Sequence, residues 1–178
     1  MFRPFLKRKI SDNQLANIFV NGLLEVIDTG FKDVASLIND DPAFEISPSI
    51  EEANNSEFTM IVIVGNIVSL ETSFEGLQAG NVESLIIQKF ATIFGMSETE
   101  FSSLVKDYKS FIARVNHPSK NVLYGMSKAI FHKYTLNDFQ EDYFKRMQAP
   151  NPLFLKRVDE IMQNFIWNWE AVFKKYKL

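Results

Sequence analysis

Cysteine is absent from the 178 residues of this chain, and histidine occurs only twice. A chain without cysteine cannot form a disulfide, a thiolate nucleophile, a thiolate zinc site or a cysteine-ligated iron–sulfur cluster. Helical bundles commonly bind metals through Glu-x-x-His pairs, and neither His117 nor His132 has a carboxylate three residues before it. We therefore expect no metal and no cofactor.

Enzyme motifs are also poorly represented. The seven glycines include no Gly-x-Gly, the spacing that a dinucleotide-binding turn requires. Ser103 and Lys106 have the spacing Ser-x-x-Lys. Tyr124 and Lys128 have the Tyr-x-x-x-Lys spacing of short-chain dehydrogenases. The motifs that accompany such pairs in enzymes are missing. We predict no catalytic residue and expect a protein that is not an enzyme.

Long hydrophobic runs are missing as well. The most apolar segment, Phe58 to Leu70, has 13 residues and contains Gly65, Asn66 and Ser69. A helix needs about 20 mainly apolar residues to cross a bilayer. The basic first ten residues are not followed by an apolar stretch of signal-peptide length. We therefore expect a cytoplasmic protein without a membrane span.

Basic residues are scarce in residues 11–100, which hold 2 Lys and Arg against 15 Asp and Glu. Residues 101–178 reverse this balance with 13 against 7, and the first ten residues add four basic side chains. Regions of opposite charge attract each other within one fold or between copies in a head-to-tail contact. We favour that interpretation over a nucleic-acid surface and do not expect nucleic acid as a partner.

Apolar residues, in contrast, are abundant. They make up 46% of the chain, include 17 Phe and mostly recur at helical spacing. The clearest case is Pro152 to Leu178, where apolar side chains recur at alternating intervals of three and four residues. We predict one long C-terminal helix here, at the centre of a bundle. Its stripe consists of Leu155, Val158, Met162, Phe165, Trp169, Val172 and Tyr176.

The N-terminal third has clear helix signals. Ser11 and Gln14 form a capping box that predicts a helix start, and Gly30 is expected to end that helix. We predict a short helix over 31–38 and a long ordered loop over 39–56. Three apolar side chains are expected to pin this loop to the surface, namely Phe44, Ile46 and Ile50.

The segment from Phe58 to Phe74 is ambiguous. Its β-branched run, interrupted by Gly65 and Asn66, can form a helix or a hairpin with a type II′ turn. Both faces of such a hairpin would be apolar, and a two-stranded ribbon among helices has no sheet to join. A central helix can be apolar all round. We predict a helix and keep the hairpin as the alternative.

Capping residues predict the remaining helices, and Gly95 is expected to end one of them. Together these elements predict an all-α domain of seven or eight helices, with an N-terminal helical arm and loop at residues 1–55 and a helical bundle at residues 56–178. The predicted helix starts are Asn81, Ser97 with Glu100, Asn137 with Gln140, and Asn151 with Pro152.

The turn from Phe90 to Leu104 resembles the helix-turn-helix pattern, with the small Ala91 at the helix crossing and Gly95 in the turn. Its second helix begins with two glutamates and has no basic residue before Lys106, so phosphate would be repelled. We favour a plain helical hairpin. If the segment did bind DNA, the candidate contacts would be Thr99, Ser102, Ser103 and Lys106.

The two tryptophans are the remaining interaction feature. On a continuous helix Trp167 and Trp169 point about 200° apart, so only one of them can lie in the core. Tryptophan is enriched where interfaces gain their affinity. The candidate interface residues are Trp167, Trp169, Phe173 and Tyr176.

We therefore expect a non-enzymatic protein that acts through an unknown protein partner or through self-association, for example as a homodimer. Two alternatives remain. The first is a DNA-binding regulator that uses the helix-turn-helix segment. The second is a helical bundle that binds an apolar small ligand in a pocket lined by Phe and Tyr, because such pockets leave little trace in a sequence.

Overall fold

The computed structural model describes residues 7–178, and Arg3, one of the basic residues near the start, lies outside them. The fold is all-α, as predicted. Two-residue strands β1 (Arg8–Lys9) and β2 (Tyr176–Lys177) pair in parallel. Single 3-10 turns occupy Leu136–Phe139 and Gln163–Phe165. The helices are α1 (Asp12–Asn39), α2 (Ser56–Val68), α3 (Leu70–Ser73), α4 (Gly76–Ile93), α5 (Glu98–Asn116), α6 (Val122–Lys133), α7 (Asp142–Met147), α8 (Pro152–Met162) and α9 (Trp169–Lys175).

α1 is a single helix, so the prediction that Gly30 ends it is wrong. A Cβ atom at Gly30 would lie 2.7 Å from Cζ of Phe165, and one at Gly22 would lie 2.7 Å from Cζ3 of Trp167. Both distances are far shorter than van der Waals contact. These glycines therefore let two aromatic rings of the C-terminal segment approach the backbone of α1.

The helical prediction for Phe58 to Phe74 is confirmed and the hairpin is excluded, although the segment forms two helices, α2 and the short α3. The residues of α2 from Met60 to Ile67 are all buried. The helix packs on α5 and α6, while α1 packs mainly on α4. A helix that is covered on every side can be apolar all round, which explains why its sequence has no polar face.

The prediction of one long C-terminal helix is wrong, because α8 ends at Met162 and α9 begins at Trp169. The buried amide of Asn66 donates to the carbonyl of Phe165 at 2.8 Å and accepts from the N–H of Trp167 at 2.8 Å. These bonds flank Ile166, whose backbone is extended with φ −85° and ψ 119°. A residue held this way cannot continue a helix.

The segment between α1 and α2 is an ordered loop, as predicted. Asn39 holds it by donating to the carbonyl of Ile50 at 2.9 Å and accepting from the N–H of Ile50 at 2.7 Å. Phe44 is half-buried and forms a β-bridge with Gln140. Ile46 is 71% exposed, so the expectation that it pins the loop is wrong.

The helix starts were predicted with mixed success. The capping boxes at Ser11 and Ser97 are both present, and the Asn151 side chain caps α8. α4 begins at Gly76, five residues ahead of the predicted cap at Asn81. Asn137 lies inside a 3-10 turn that begins at Leu136, so the prediction that it caps a helix is wrong.

The buried apolar side chains form one continuous cluster that reaches from Ile10 to Val172. α1 contributes to this cluster along its whole length. The division into residues 1–55 and 56–178 stays a prediction. Within residues 7–178, no helix combines the length and the apolar character that a membrane crossing requires.

Candidate functional site

A groove of about 430 Å³ lies between α1 and the C-terminal segment, and we call it the C-terminal groove. Its walls come from α1 on one side and from the interruption between α8 and α9, with α9 itself, on the other. Most of its lining atoms belong to apolar side chains. The lining residues are Ile18, Leu23, Val26, Asn164, Phe165, Ile166, Trp167, Asn168, Ala171, Val172, Lys175 and Tyr176.

The interruption of the C-terminal helix shapes this groove. Asn66 holds the backbone on both sides of Ile166, and the Asn168 side chain then accepts from the N–H of Ala171 at 3.0 Å to start α9. The ring of Trp167 is thereby laid against α1 at Gly22. A core asparagine thus sets the position of the groove wall.

The two tryptophans lie close together, contrary to the expected 200° separation. Their rings are 6.2 Å apart at 74°. The separation assumed a continuous helix, but Trp167 lies in the interruption and Trp169 at the start of α9. Trp169 is only 6% exposed and stacks on Phe19 at 5.2 Å. Trp167 is half-buried and lines the groove.

Of the other two predicted interface residues, one lines the groove and one packs in the aromatic cluster around Trp169. Phe173 is half-buried and packs edge-on against Phe74 at 5.3 Å, within the aromatic cluster around Trp169. Tyr176 is half-buried in β2 and lines the groove. Trp167 and Tyr176 therefore belong to the groove, whereas Trp169 and Phe173 pack outside its lining.

One buried polar atom at the groove has no partner. Within residues 7–178, Nε1 of Trp167 is shielded from solvent and makes no hydrogen bond. A buried indole N–H usually finds an acceptor. The Trp167 side chain is therefore held by packing against Gly22 and Phe19, whose ring lies 5.6 Å away, rather than by a polar contact of its own.

The candidate DNA contacts Thr99, Ser102, Ser103 and Lys106 all lie exposed on α5, after a turn in which Gly95 has a φ of 65°. The carboxylate of Glu100 accepts from the N–H of Ser97 at 2.8 Å. Hydrogen bonds from the backbone and then the side chain of Ser97 hold the pKa of Glu100 below its usual value. This negative charge persists where a recognition helix would meet phosphate.

A polar cluster that the sequence did not indicate links α2, α5 and α6. The hydroxyl of Tyr108 donates to Glu57, and the ammonium of Lys133 lies 3.4 Å from the same carboxylate. Burial raises the pKa of Tyr108, and burial raises that of Tyr134 beside it to about 12. Both tyrosines therefore stay protonated near neutral pH. Glu57, Tyr108 and Lys133 satisfy one another, and the hydroxyl of Tyr134 donates to the carbonyl of Asn54 at 2.8 Å. We therefore assign these groups to helix packing.

Asp159 is a carboxylate in unfavourable surroundings. One of its oxygens is buried without a hydrogen-bond partner among the described residues. Burial raises its pKa, although Ser127 and Lys128 act in the opposite direction. The hydroxyl of Ser127 is fully buried and donates to the carbonyl of Leu123 at 3.3 Å, so it cannot act as an exposed nucleophile.

In the part of the chain that the structure describes, no three His, Asp or Glu side chains are grouped so that they could hold a metal ion. The chain matches no protein-family model, no curated protein and no solved structure. The geometry of the groove is therefore the basis for a functional proposal.

Proposed function

We propose that this protein is a non-enzymatic binding protein whose C-terminal groove takes an apolar small molecule. The observation that carries the proposal is the concave, mainly apolar space of about 430 Å³ beside Trp167. Ligand sites typically measure about 300–1,000 Å³ and combine apolar walls with a few polar groups. The groove has such polar groups in Asn164, Asn168 and Lys175.

The groove volume lies within the range of small-ligand sites, so we favour a small ligand over a protein partner. The aromatic residues expected at a protein interface are also largely covered within the chain, with Trp169 only 6% exposed. A protein partner or self-association, for example as a homodimer, is the competing outcome of the test below.

A DNA-binding role has less support. Glu98 and Glu100 are exposed at the start of α5, and the pKa of Glu100 is held below its usual value. Two carboxylates at this position oppose the approach of a phosphate backbone. The proposal includes a cytoplasmic location, with which the lack of cysteine is compatible.

The test uses the neutral apolar dye N-phenyl-1-naphthylamine, whose emission rises on transfer from water to an apolar site. We expect saturable binding at one site per chain. Ala171 is exposed in the groove wall, so Ala171→Trp would fill the space and weaken binding by about tenfold. Ala113 is exposed on α5 outside the groove lining, and Ala113→Trp is the matched control.

Two results would contradict the proposal. One is the absence of saturable dye binding, and the other is binding that Ala171→Trp and Ala113→Trp affect equally. Sedimentation of the unliganded protein identifies the competing function. A stable dimer that excludes the dye and dissociates on Ala171→Trp would assign the groove to self-association.

A further inference from the structure

The C-terminal groove has two chemically different ends. Phe165 lies at Gly30 of α1, Trp167 lies at Gly22, and the N–H of Ile10 donates to the carbonyl of Lys177 at 2.9 Å. The C-terminal segment therefore runs antiparallel to α1. The groove extends from Val26 and Asn164 at one end to Lys175 and Tyr176 at the other, where the two termini of the described chain meet.

Basic side chains gather at the end where the termini meet. The pairing of β1 with β2 places Arg8 opposite Tyr176 and Lys9 opposite Lys177. Residues 1–11 and 171–178 contain no Asp or Glu. We call the exposed cations here the terminal basic cluster, which consists of Lys7, Arg8, Lys9, Lys174, Lys175 and Lys177.

Most of this positive charge is not neutralised by side chains among residues 7–178. Lys174 pairs with Glu170 at 2.8 Å, and Lys7 donates to the carbonyl of Phe173 at 2.7 Å. Lys175, which lines the groove, lies 5.4 Å above the ring of Tyr176. Among residues 7–178, no carboxylate lies within 4 Å of the other members of the terminal basic cluster.

The opposite end of the groove has no comparable charge. Val26 and Asn164 line it there, and α1 carries the exposed acidic residues Glu25 and Asp28 next to Val26. An elongated ligand with an anionic group at one end gains Coulomb energy in only one orientation, with that group beside Lys175. The charge distribution thus selects both the class of ligand and its direction in the groove.

We infer that the C-terminal groove binds a free medium-chain fatty acid, with the alkyl chain between α1 and α9 and the carboxylate at Lys175 beside the terminal basic cluster. This inference rests on the proposed binding function of the groove. The apolar walls take up the alkyl chain and remove its methylene groups from water, which favours binding. Lys175 and its neighbours add preference for a carboxylate over a neutral head group.

The test compares sodium dodecanoate with 1-dodecanol, both below their aggregation limits, as competitors of N-phenyl-1-naphthylamine. At low ionic strength we expect dodecanoate to bind about tenfold more tightly than the alcohol. The advantage should shrink in 0.5 M salt because exposed charges are screened. Lys175→Gln should reduce dodecanoate affinity about fivefold and leave dodecanol affinity unchanged.

Two further variants make the result specific. Lys120 is exposed between α5 and α6, and Lys120→Gln should change neither affinity. The double variant Arg8→Gln with Lys177→Gln should lower dodecanoate affinity further while circular dichroism shows an unchanged fold. If Lys175→Gln and Lys120→Gln behave alike, the assignment of the carboxylate to Lys175 is wrong.

The remaining outcomes separate this inference from the proposal on which it rests. Equal affinity for dodecanoate and dodecanol would overturn the inference and leave the apolar groove as a binding site. Failure of the dye and both competitors to bind would overturn the proposed function itself. Binding to phosphatidylglycerol vesicles without binding to free dodecanoate would assign the terminal basic cluster to a membrane surface instead.

Discussion

Replacing Asn66 with alanine should destabilise the protein and loosen the groove wall. The Asn66 side chain donates to the carbonyls of Val62 and Phe165 at 2.9 and 2.8 Å and accepts from the N–H of Trp167 at 2.8 Å. The carbonyl of Val62 belongs to α2 and lies within its helical hydrogen-bonding pattern. In Asn66→Ala the two groups of the C-terminal segment lose their partner.

The size of the expected loss in unfolding free energy follows from the burial of these two groups. A buried polar group without a partner costs about 1–3 kcal/mol. The bond to Phe165 is buried, so its loss lies toward the upper part of that range, whereas the bond from Trp167 is only partly buried and water recovers part of it. We expect a loss of about 2–4 kcal/mol, which for a chain of this size corresponds to roughly 6–12 °C in Tm.

Urea unfolding followed by circular dichroism and tryptophan emission measures this loss. The emission of the native state should also move to longer wavelength, because Trp167 is no longer held against α1. Asn164→Ala is the matched control, since Asn164 is exposed two residues before Ile166, and its change should stay within about 0.5 kcal/mol. A loss below about 1 kcal/mol for Asn66→Ala, or equal losses in both variants, would refute this account of the interruption.

Three further changes test the packing and the electrostatics. Gly30→Ala places a Cβ 2.7 Å from Phe165 and should lower the free energy of unfolding by about 1–3 kcal/mol. Gly80→Ala is the control, because its Cβ meets no atom within 4 Å, and it should stabilise the protein by about 0.5–1 kcal/mol. Thermal melts in which Gly80→Ala is the less stable variant would contradict the close approach of Phe165 to α1. Ser97→Ala removes a capping box and should cost about 1 kcal/mol in urea unfolding, and an unchanged midpoint would show that α5 does not depend on it. The pKa of Asp159 is raised, so the folded state prefers the protonated carboxyl; Asp159→Asn should be the more stable protein at pH 7, and its advantage should disappear as the pH falls through the folded pKa toward 3.8. Unfolding curves of Asp159→Asn and the parent protein at pH 7 and near pH 3.8 measure this difference in stability. A difference that does not change with pH would contradict the raised pKa of Asp159.

The helices that were predicted correctly depend on interactions between near neighbours. Ser11 and Ser97 cap helices through residues three positions away, and the apolar segment around Met60 forms a helix that its neighbours cover on all sides. Short-range hydrogen bonds and helical periodicity are visible in a sequence because the interacting residues keep fixed spacings.

The errors arose where distant residues compete with local preference. The period of the C-terminal segment is helical throughout, yet Asn66, about 100 residues earlier, holds the backbone at Ile166 in an extended form. Glycine is typical of a helix end, but Gly30 lies inside α1, where its lack of a side chain leaves room for the ring of Phe165. No local signal distinguishes a glycine that ends a helix from one that accommodates a ring.

The candidate groove was predictable only in part. Trp167 and Tyr176 were identified as interaction residues because aromatic side chains outside a core often bind something, and both line the groove. Ile18 and Val26 are apolar residues of α1 that line the groove, but nothing in their spacing separates groove residues from core residues. Lys175 became a candidate binding residue only because the pairing of β1 with β2 places the basic N-terminal residues beside it.

The sequence by itself determined the all-α class and the helix starts at Ser11, Ser97 and Asn151, because helical periodicity and capping depend on residues within a few positions of one another. Tertiary structure decided where the C-terminal helix is interrupted, which aromatic rings stay accessible and where the basic residues gather. These features depend on contacts such as that of Asn66 with the C-terminal segment and on the meeting of the two termini. Contacts of this kind exist only once the whole chain has packed.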